Sequence, residues 1–470
     1  MTPSQDAACD VLVIGGGPGG YVAAIRAAQL GLRTALVERE HLGGVCSNWG
    51  CIPTKALLHA ASVYRQMRHA SELGITVQGL SFDFAAMMQR SRGVAERMNK
   101  GVRHLLKKNK VTLHEGSGRL LGDQRLEVRD ATGTATVVRA THIIIATGAR
   151  AREVPGLEAD GARIWNYRHA LAAPALPASL LVVGAGAIGM EFASFFGTLG
   201  SKVTVAEARD RVLPAEDRDV SAFIHNAFER QGIAVRTNAM VAGVEAVAGG
   251  LAVTLGGQGA ATERLQVAQV LVAAGVSANT EGLGLEHTAV RLEAGHIATD
   301  GHCRTAEPGV YAIGDVAGGP WLAHKASHEG VLCVEQIAGL RHGSGLDRQR
   351  IPACTYCYPQ VASLGLTEEQ ALARGRAVRV GRFPFVGNGK ATALGETEGF
   401  IKTVFDRDSG ELLGAHLAGA EVTELVHSLA IAQTLETTEE EMMQTVFPHP
   451  TLSEAIHESV LMAVGRAIHI

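Results

Sequence analysis

The apolar positions of this chain fall in short unbroken runs separated by glycine-rich turns. Val11-Leu12-Val13-Ile14 is apolar at every position, the pattern of a parallel strand covered on both faces. Gly15-Gly16-Gly17-Pro18-Gly19-Gly20 follows, then a helical stretch to Leu30, a turn at Gly31, and a second strand from Thr34 to Val37 that ends at Glu38. The same order returns as Leu181-Val182-Val183, Gly184-Ala185-Gly186-Ala187-Ile188-Gly189, Gly200 and a strand ending at Glu207. First glycine to turn glycine is 16 residues in both copies, and first glycine to acid is 23. A lone glycine motif is weak evidence; two copies in strand–turn–helix context, each with its acid, predict two dinucleotide sites.

Each copy carries the same chemistry. Gly15 and Gly17, like Gly184 and Gly186, permit the turn and the approach of a pyrophosphate to backbone N–H groups at the helix start, and Gly20 and Gly189 let helix pack on strand. Glu38 and Glu207 are placed to accept hydrogen bonds from an adenosine ribose. The bland alternative is a doubly wound fold whose sites have lapsed, against which the retained acids speak. A carboxylate at 207 repels a 2′-phosphate, so NAD is favoured over NADP, although Arg209 and Arg211 stand nearby.

Two further apolar runs end in candidate ligand-closing turns. Ile143 to Ile145 leads into Ala146-Thr147-Gly148-Ala149, and Val310-Tyr311-Ala312-Ile313 leads into Gly314-Asp315, with helical residues from about Leu322. Asp315 suits a polyol such as ribitol, or simply a helix cap. From Ile351 the pattern changes to alternating strands, such as Gly399 to Val404 and Leu412 to His416, followed by helices over roughly Thr423 to Leu435 and Leu452 to Val464. That pattern predicts an α+β domain with one sheet and helices on one side.

Composition narrows the functional classes. A chain of 470 residues is too long for one core. A net charge of -4 without a basic cluster argues against nucleic acid and anionic membrane surfaces. The apolar runs are strand-sized, so no membrane insertion is expected, and the first residues lack a secretory pattern. Seven cysteines fit a reducing, cytoplasmic setting in which a disulfide is catalytic rather than structural.

The sharpest chemical signal is Gly43 to Lys55, Gly-Gly-Val-Cys-Ser-Asn-Trp-Gly-Cys-Ile-Pro-Thr-Lys. Cys46 and Cys51 can close a small ring at the mouth of a helical stretch starting near Lys55, where the helix dipole favours a thiolate. The alternative, two buried structural cysteines, ignores this local context. Near the other end, Phe447-Pro448-His449-Pro450 fixes an imidazole between two prolines, with Glu454 placed to orient it as a base. A lone histidine is more often structural. Two metal-like spacings, Cys354/Cys357 and His324/His328, lack the company a metal site needs, and no metal is expected.

Taken in order, the glycine turn, the C-x4-C with a following Lys, the second glycine turn, Gly-Asp and His-Pro-Thr resemble the flavoprotein pyridine nucleotide–disulfide oxidoreductases over essentially the whole chain. The resemblance implies an α/β protein with two Rossmann-like dinucleotide-binding domains and a C-terminal α+β dimerisation (interface) domain. It implies FAD binding by 1–150, NAD binding by 151–280, a central domain over 281–350 completing the FAD site, and an interface domain over 351–470. It assigns to the cofactors Gly15, Gly17, Gly20, Glu38, Lys55, Gly116, Thr147, Gly148, Gly314, Asp315, Ala323 and His324, then Gly184, Gly186, Gly189, Glu191, Glu207 and Gly275. Lys55 is implied near the flavin N5 with Glu191 as its partner. A homodimer is also implied, His449 and Glu454 of one subunit completing the cysteine site of the other.

Within that family, Leu322 to Ala326, Ala393 to Thr397 and Pro450 to Ala455 are most similar to the branch that oxidises protein-bound dihydrolipoamide. Its implied partner is a lipoyl-bearing domain of a 2-oxoacid dehydrogenase complex or the glycine-cleavage carrier protein. Cys46 would then exchange with substrate and Cys51 face the flavin. The alternative is a glutathione-reductase-like enzyme acting on another disulfide. Ala208 and Pro214 stand where NADP-dependent glutathione reductases resemble one another in carrying Arg, and the tail lacks the cysteine pair of a mercuric reductase. Two departures from the family pattern are Phe447, in place of a first His, and Val276-Ser277-Ala278 after Gly275.

Overall fold

The structure is a computed structural model and describes residues 7–257, 260–340 and 345–470. The chain divides into two compact units, each assembled from three stretches of sequence.

The first unit comprises the stretch ending at Ala56 together with Ala86–Arg152 and Val276–Arg348. Its sheet runs Thr112–Glu115, Thr34–Glu38, Ala7–Ile14, Ala135–Ile145, Arg125–Arg129, Ser117–Gly122, and Val310–Ala312 pairs in parallel with residues 143–145 of Ala135–Ile145. The central pairings are parallel, Val11 opposite Thr34 and Ile14 opposite Ile145. Val11, Leu12 and Val13 are fully buried, as an unbroken apolar run requires of a strand covered on both faces. Helix Pro18–Gln29 leaves the sheet at the glycine turn, with Pro18 at its first position, where a missing N–H costs nothing. Helix Ala323–Ile337 packs on it through small residues: a Cβ on Gly330 would lie 2.7 Å from the Gly19 carbonyl oxygen.

The second unit comprises Leu57–Ala85, Glu153–Gly275 and Gln349–Ile470. It repeats the motif as a parallel sheet ordered Ala234–Arg236, Lys202–Ala206, Ser179–Val183, Gln269–Val272, Ile164–Trp165, with helix Ala187–Thr198 after the glycine turn. The strand pair Met240–Val247 and Gly250–Gly257 continues with Ala260–Val267 as a small antiparallel sheet. The C-terminal antiparallel sheet is ordered Ala353–Thr355, Gln360–Gly365, Leu412–Gly419, Phe400–Asp406, Val378–Pro384.

That last sheet departs from expectation. Alternation predicted helices on one side only, yet every residue of Phe400–Asp406 and Leu412–Gly419 is buried. Helices Val422–Thr434 and Glu454–Ala463 cover one face, and helix Arg218–Arg230 packs on the other, with Phe223 edge-on to Phe400 at 5.6 Å. The polar residues of Phe400–Asp406 find their partners inside the protein. Lys402, 3 % exposed, donates to Asp217, Asp219 and Glu368 at 2.8–2.9 Å. Burial alone would lower its pKa, but the three carboxylates hold it well above the usual ammonium value. Lys402→Met should therefore destabilise the protein by about 3–5 kcal/mol in denaturant titrations, because it strands the buried Asp217 carboxylate.

Glu216, beside this cluster, behaves oppositely. Burial pushes its pKa up to about 7, Ser363 opposing and Asp217 adding to the rise, and among the described residues its Oε2 has no hydrogen-bond partner. A carboxyl whose folded pKa exceeds its unfolded one binds a proton on folding, so stability is lost as pH rises from about 4.5 through 7. Glu216→Gln should match wild type near pH 5 and exceed it near pH 8 by on the order of 2 kcal/mol. Parallel denaturation curves at the two pH values check this.

Candidate active site

Both glycine turns are built identically. The Gly16 N–H donates to Glu38 Oε2 at 2.7 Å and the Glu40 N–H to Oε1 at 2.7 Å; in the second copy Ala185 N–H meets Glu207 Oε2 at 2.7 Å and Arg209 N–H meets Oε1 at 2.9 Å. Each acid therefore braces its own turn, and each oxygen keeps a second acceptor position for a ribose hydroxyl. A Cβ on Gly20 would lie 1.9 Å from the Gly15 oxygen, and one on Gly189 2.0 Å from that of Gly184, so these glycines are demanded by packing. In front of the helices the space is open. A Cβ on Gly186 would meet nothing within 4 Å, and one on Gly17 only Gly44 at 3.9 Å. Among the described residues no side chain caps either helix at Gly17 or Gly186. Two helix starts without a side-chain cap, each reached through a turn with glycine at its first and third positions, fit two dinucleotide diphosphates.

The closing turns of the first unit are held in place by residues far away in sequence. Thr147 Oγ1 donates to the Asn279 carbonyl and Asn279 Nδ2 to the Thr147 carbonyl, both at 2.8 Å, while the Asn279 N–H meets the Gly148 carbonyl at 2.9 Å. Gly116 donates to the Glu38 carbonyl at 2.8 Å, and its positive φ and the nearby Arg129 carbonyl leave no room for a Cβ. The Gly314 N–H donates to Glu329 Oε2 at 2.7 Å, and the buried Lys325 Nζ reaches the carbonyls of Gly314 at 3.1 Å and Gly318 at 2.6 Å and Glu329 Oε1 at 3.1 Å. Burial raises the Asp315 pKa against the opposing charge of Lys325. Ala323 and His324 open helix Ala323–Ile337, whose first turn has no side-chain cap. In the second unit the buried Glu191 accepts from the Tyr356 N–H at 2.9 Å, and Gly275 adopts a positive φ.

Cys46 and Cys51 form a disulfide with a Cα–Cα distance of 4.7 Å. The local structure differs from expectation in one respect. The helix starts at Cys51, not near Lys55, because Pro53 sits in its first turn, where proline is tolerated; Lys55 is one turn in. Cys46 lies in a separate short helix, Gly44–Trp49. Asn48 ties that helix to the carbonyls of Leu42 and Gly44 at 2.9 and 2.8 Å. From the long helix Phe84–Lys108, Ser91 donates to the Pro53 carbonyl at 2.9 Å and Asn99 to that of Leu42 at 2.9 Å. Cys51 thus sits at the positive end of a helix, where a thiolate is favoured.

His449 Nδ1 lies 2.8 Å from Glu454 Oε1, and Glu454 Oε2 accepts from the Thr451 N–H at 2.8 Å. Burial would raise the Glu454 pKa, but the Thr451 amide and His449 hold it below the usual carboxylate value. An ionised carboxylate only accepts, so Nδ1 is the donor and Nε2 of the neutral ring carries the free lone pair. The imidazole is 77 % exposed in the single chain.

The family model for pyridine nucleotide-disulphide oxidoreductases matches residues 9–330, and its dimerisation-domain counterpart matches 351–460. The chain belongs to the pyridine nucleotide-disulphide oxidoreductases. Its relatives include a dihydrolipoyl dehydrogenase of Zymomonas mobilis, 53% identical over 98% of this chain and 99% of that protein. One of Bacillus subtilis is 44% identical over 98% and 99%, and the mitochondrial one of Pisum sativum 40% identical over 98% and 92%. Among solved structures, LpdA from Mycobacterium tuberculosis is 28% identical with a TM-score of 0.90, covering 96% of this chain and 99% of that one. The HOCl-induced flavoprotein disulfide reductase RclA from Escherichia coli, as its Cu(II) complex, is 26% identical with a TM-score of 0.86, covering 97% and 99%. The cofactors of this oxidoreductase are FAD and NAD.

Some residues of this family member are not visible from sequence motifs. Asn279, which clamps Thr147 and Gly148, has no local signature. Lys325 and Glu329, which hold the Gly314 turn, are signalled only by a Lys and a Glu four residues apart on a helix. Cys354 lies in strand Ala353–Thr355 and is half-buried; Cys357 is buried and its Sγ donates to the Pro359 carbonyl at 3.1 Å. Among the described residues no group of His, Cys, Asp and Glu is arranged to hold a metal ion, and no helix is long and apolar enough to cross a membrane.

Proposed function

We propose that this enzyme oxidises protein-bound dihydrolipoamide to lipoamide and delivers the electrons to NAD+, working as a homodimer. The observation that carries the reading is the Cys46–Cys51 disulfide at the head of a helix, in a chain similar over nearly its whole length to dihydrolipoyl dehydrogenases. Residues 1–150, completed by 281–350, hold FAD through Gly15, Gly17, Gly20, Glu38, Lys55, Thr147, Gly148, Gly314, Asp315, Ala323 and His324. Residues 151–280 hold NAD through Gly184, Gly186, Gly189, Glu191 and Glu207. Residues 351–470 form the subunit interface and bring His449 of the partner subunit to the disulfide. The macromolecular substrate is a lipoyl-bearing domain of a 2-oxoacid dehydrogenase complex or the glycine-cleavage carrier.

Substrate chemistry then follows from the side chains. His449, oriented by Glu454, takes the proton of one substrate thiol at Nε2. The resulting thiolate attacks the Cys46 sulfur; the Cys46–Cys51 bond breaks and Cys51 leaves as a thiolate, favoured by its helix terminus. The second substrate thiol displaces Cys46 from the mixed disulfide, closing the substrate's own disulfide. The departing Cys46 sulfur takes the proton held on His449, and the second thiol's proton passes to the vacated Nε2. Substrate is oxidised by two electrons and the protein disulfide is reduced to one thiol and one thiolate. Bound FAD supplies the two-electron relay from that dithiol to NAD+.

A substrate panel tests this reading: dihydrolipoamide, free and on a lipoyl domain, glutathione disulfide and mercuric ion, each with NAD and NADP. Preferential turnover of dihydrolipoamide with NAD+ is expected. Preferential reduction of glutathione disulfide with NADPH would overturn it.

A further inference from the structure

Arg92 contacts the redox ring from outside. It lies on helix Phe84–Lys108, its guanidinium carbon 4.1 Å from the centre of the Trp49 ring, and its Nη1 donates to the Asn48 carbonyl at 2.6 Å. Asn48 and Trp49 both lie inside the loop that the Cys46–Cys51 bond closes. The Asn48 carbonyl belongs to the last turn of helix Gly44–Trp49, a negative end lying three residues before Cys51. Burial lowers the Arg92 pKa, and among the described residues no carboxylate pairs with this cation; Glu96, one turn on, is taken by Lys100.

We propose that Arg92 is a positioning residue for the disulfide: it clamps residues 48 and 49 so that the two sulfurs stay in register when the bond opens, and its unneutralised charge favours the reduced pair. Reduction adds two electrons and two protons, and near neutral pH leaves Cys51 partly ionised. A cation held on the ring's own carbonyl offsets that negative charge and the helix end behind it. Trp49 supplies the face on which the planar guanidinium rests, a contact a flexible ammonium reproduces less well than its charge.

This inference rests on the redox reading of Cys46 and Cys51, and the test separates the two. Holoenzyme is equilibrated with graded ratios of reduced to oxidised dithiothreitol, quenched in acid and alkylated, and the Cys46/Cys51 peptide is quantified by mass; the thermal midpoint is measured alongside. Arg92→Met should shift the equilibrium about five- to tenfold toward the disulfide, and Arg92→Lys should recover most of that shift. A wild-type pair that stays oxidised at every ratio overturns the redox reading itself. A wild-type pair that titrates while Arg92→Met titrates within twofold of it overturns only the role of Arg92. Equal displacement by Met and Lys, with equal loss of thermal midpoint, also overturns it, since that is what plain destabilisation produces.

Discussion

Cys46→Ser is expected to lower NAD+-linked dihydrolipoamide oxidation by about a thousandfold or more while leaving a folded, flavin-binding protein. A serine hydroxyl cannot form the mixed disulfide, so no part of the exchange chemistry survives. The fold survives because the short helix Gly44–Trp49 is held by Asn48 and Arg92, and Leu42 just before it by Asn99, none of which needs the sulfur. Losing so small a cross-linked loop costs about 2 kcal/mol on the chain-entropy account, a fraction of the stability of a domain this size. The glycine turns and the Asn279 clamp lie outside the loop, so bound flavin should persist at wild-type stoichiometry. Both quantities can be read from one preparation: flavin absorbance after gel filtration and steady-state turnover. Turnover within tenfold of wild type would remove Cys46 from the mechanism.

What was legible in the sequence was what depends on neighbours along the chain. The unbroken runs at Val11 and Leu181, the glycine turns and the acids behind them sit within one βαβ unit, and their spacing is fixed by that unit's geometry. His449 and Glu454 are five residues apart, and the structure joins them at 2.8 Å. Partners distant in sequence were not legible. Lys402 looked like the polar side of an alternating strand, because its partner Asp217 lies 185 residues earlier and no local pattern announces it. Asn279 lies 132 residues from Thr147, for the same reason. The bracing role of Glu38 and Glu207 was hidden differently: the motif marks the acid as a ribose ligand, while its bonds to the turn appear only in the folded backbone. The early start of the Cys51 helix was masked by Pro53, which reads as a breaker although a first turn accepts it.

The glycine positions separate two demands that sequence merges. Gly20 and Gly189 are required by protein packing, since any side chain would collide with the turn's own carbonyl, whereas Gly186 faces open space where only a ligand would object. A motif conflates these; the structure distinguishes the glycine that lets the fold form from the one that borders open space in front of the helix.

His449→Gln is expected to slow dihydrolipoamide oxidation by about 10²- to 10⁴-fold while leaving NADH-driven reduction of a quinone nearly unchanged. Glutamine keeps an amide for Glu454 to hold but cannot take a proton, so the loss falls on the thiol step, whereas quinone reduction bypasses the thiols. Similar losses in both assays would mean that the substitution damages the fold instead. The same variant decides which subunit supplies the base. In a dimer joining a Cys46→Ser chain to a His449→Gln chain, one site combines both defects; the other is intact only if each site draws its cysteines and its histidine from different chains. Random re-association of equal amounts makes about half of the dimers mixed, each with one working site, so about a quarter of wild-type activity should return. If cysteines and histidine act within one chain, every site in the mixture carries a defect and nothing returns. The assay needs only dissociation and re-association of two nearly inactive proteins, so recovered turnover stands against an almost empty background.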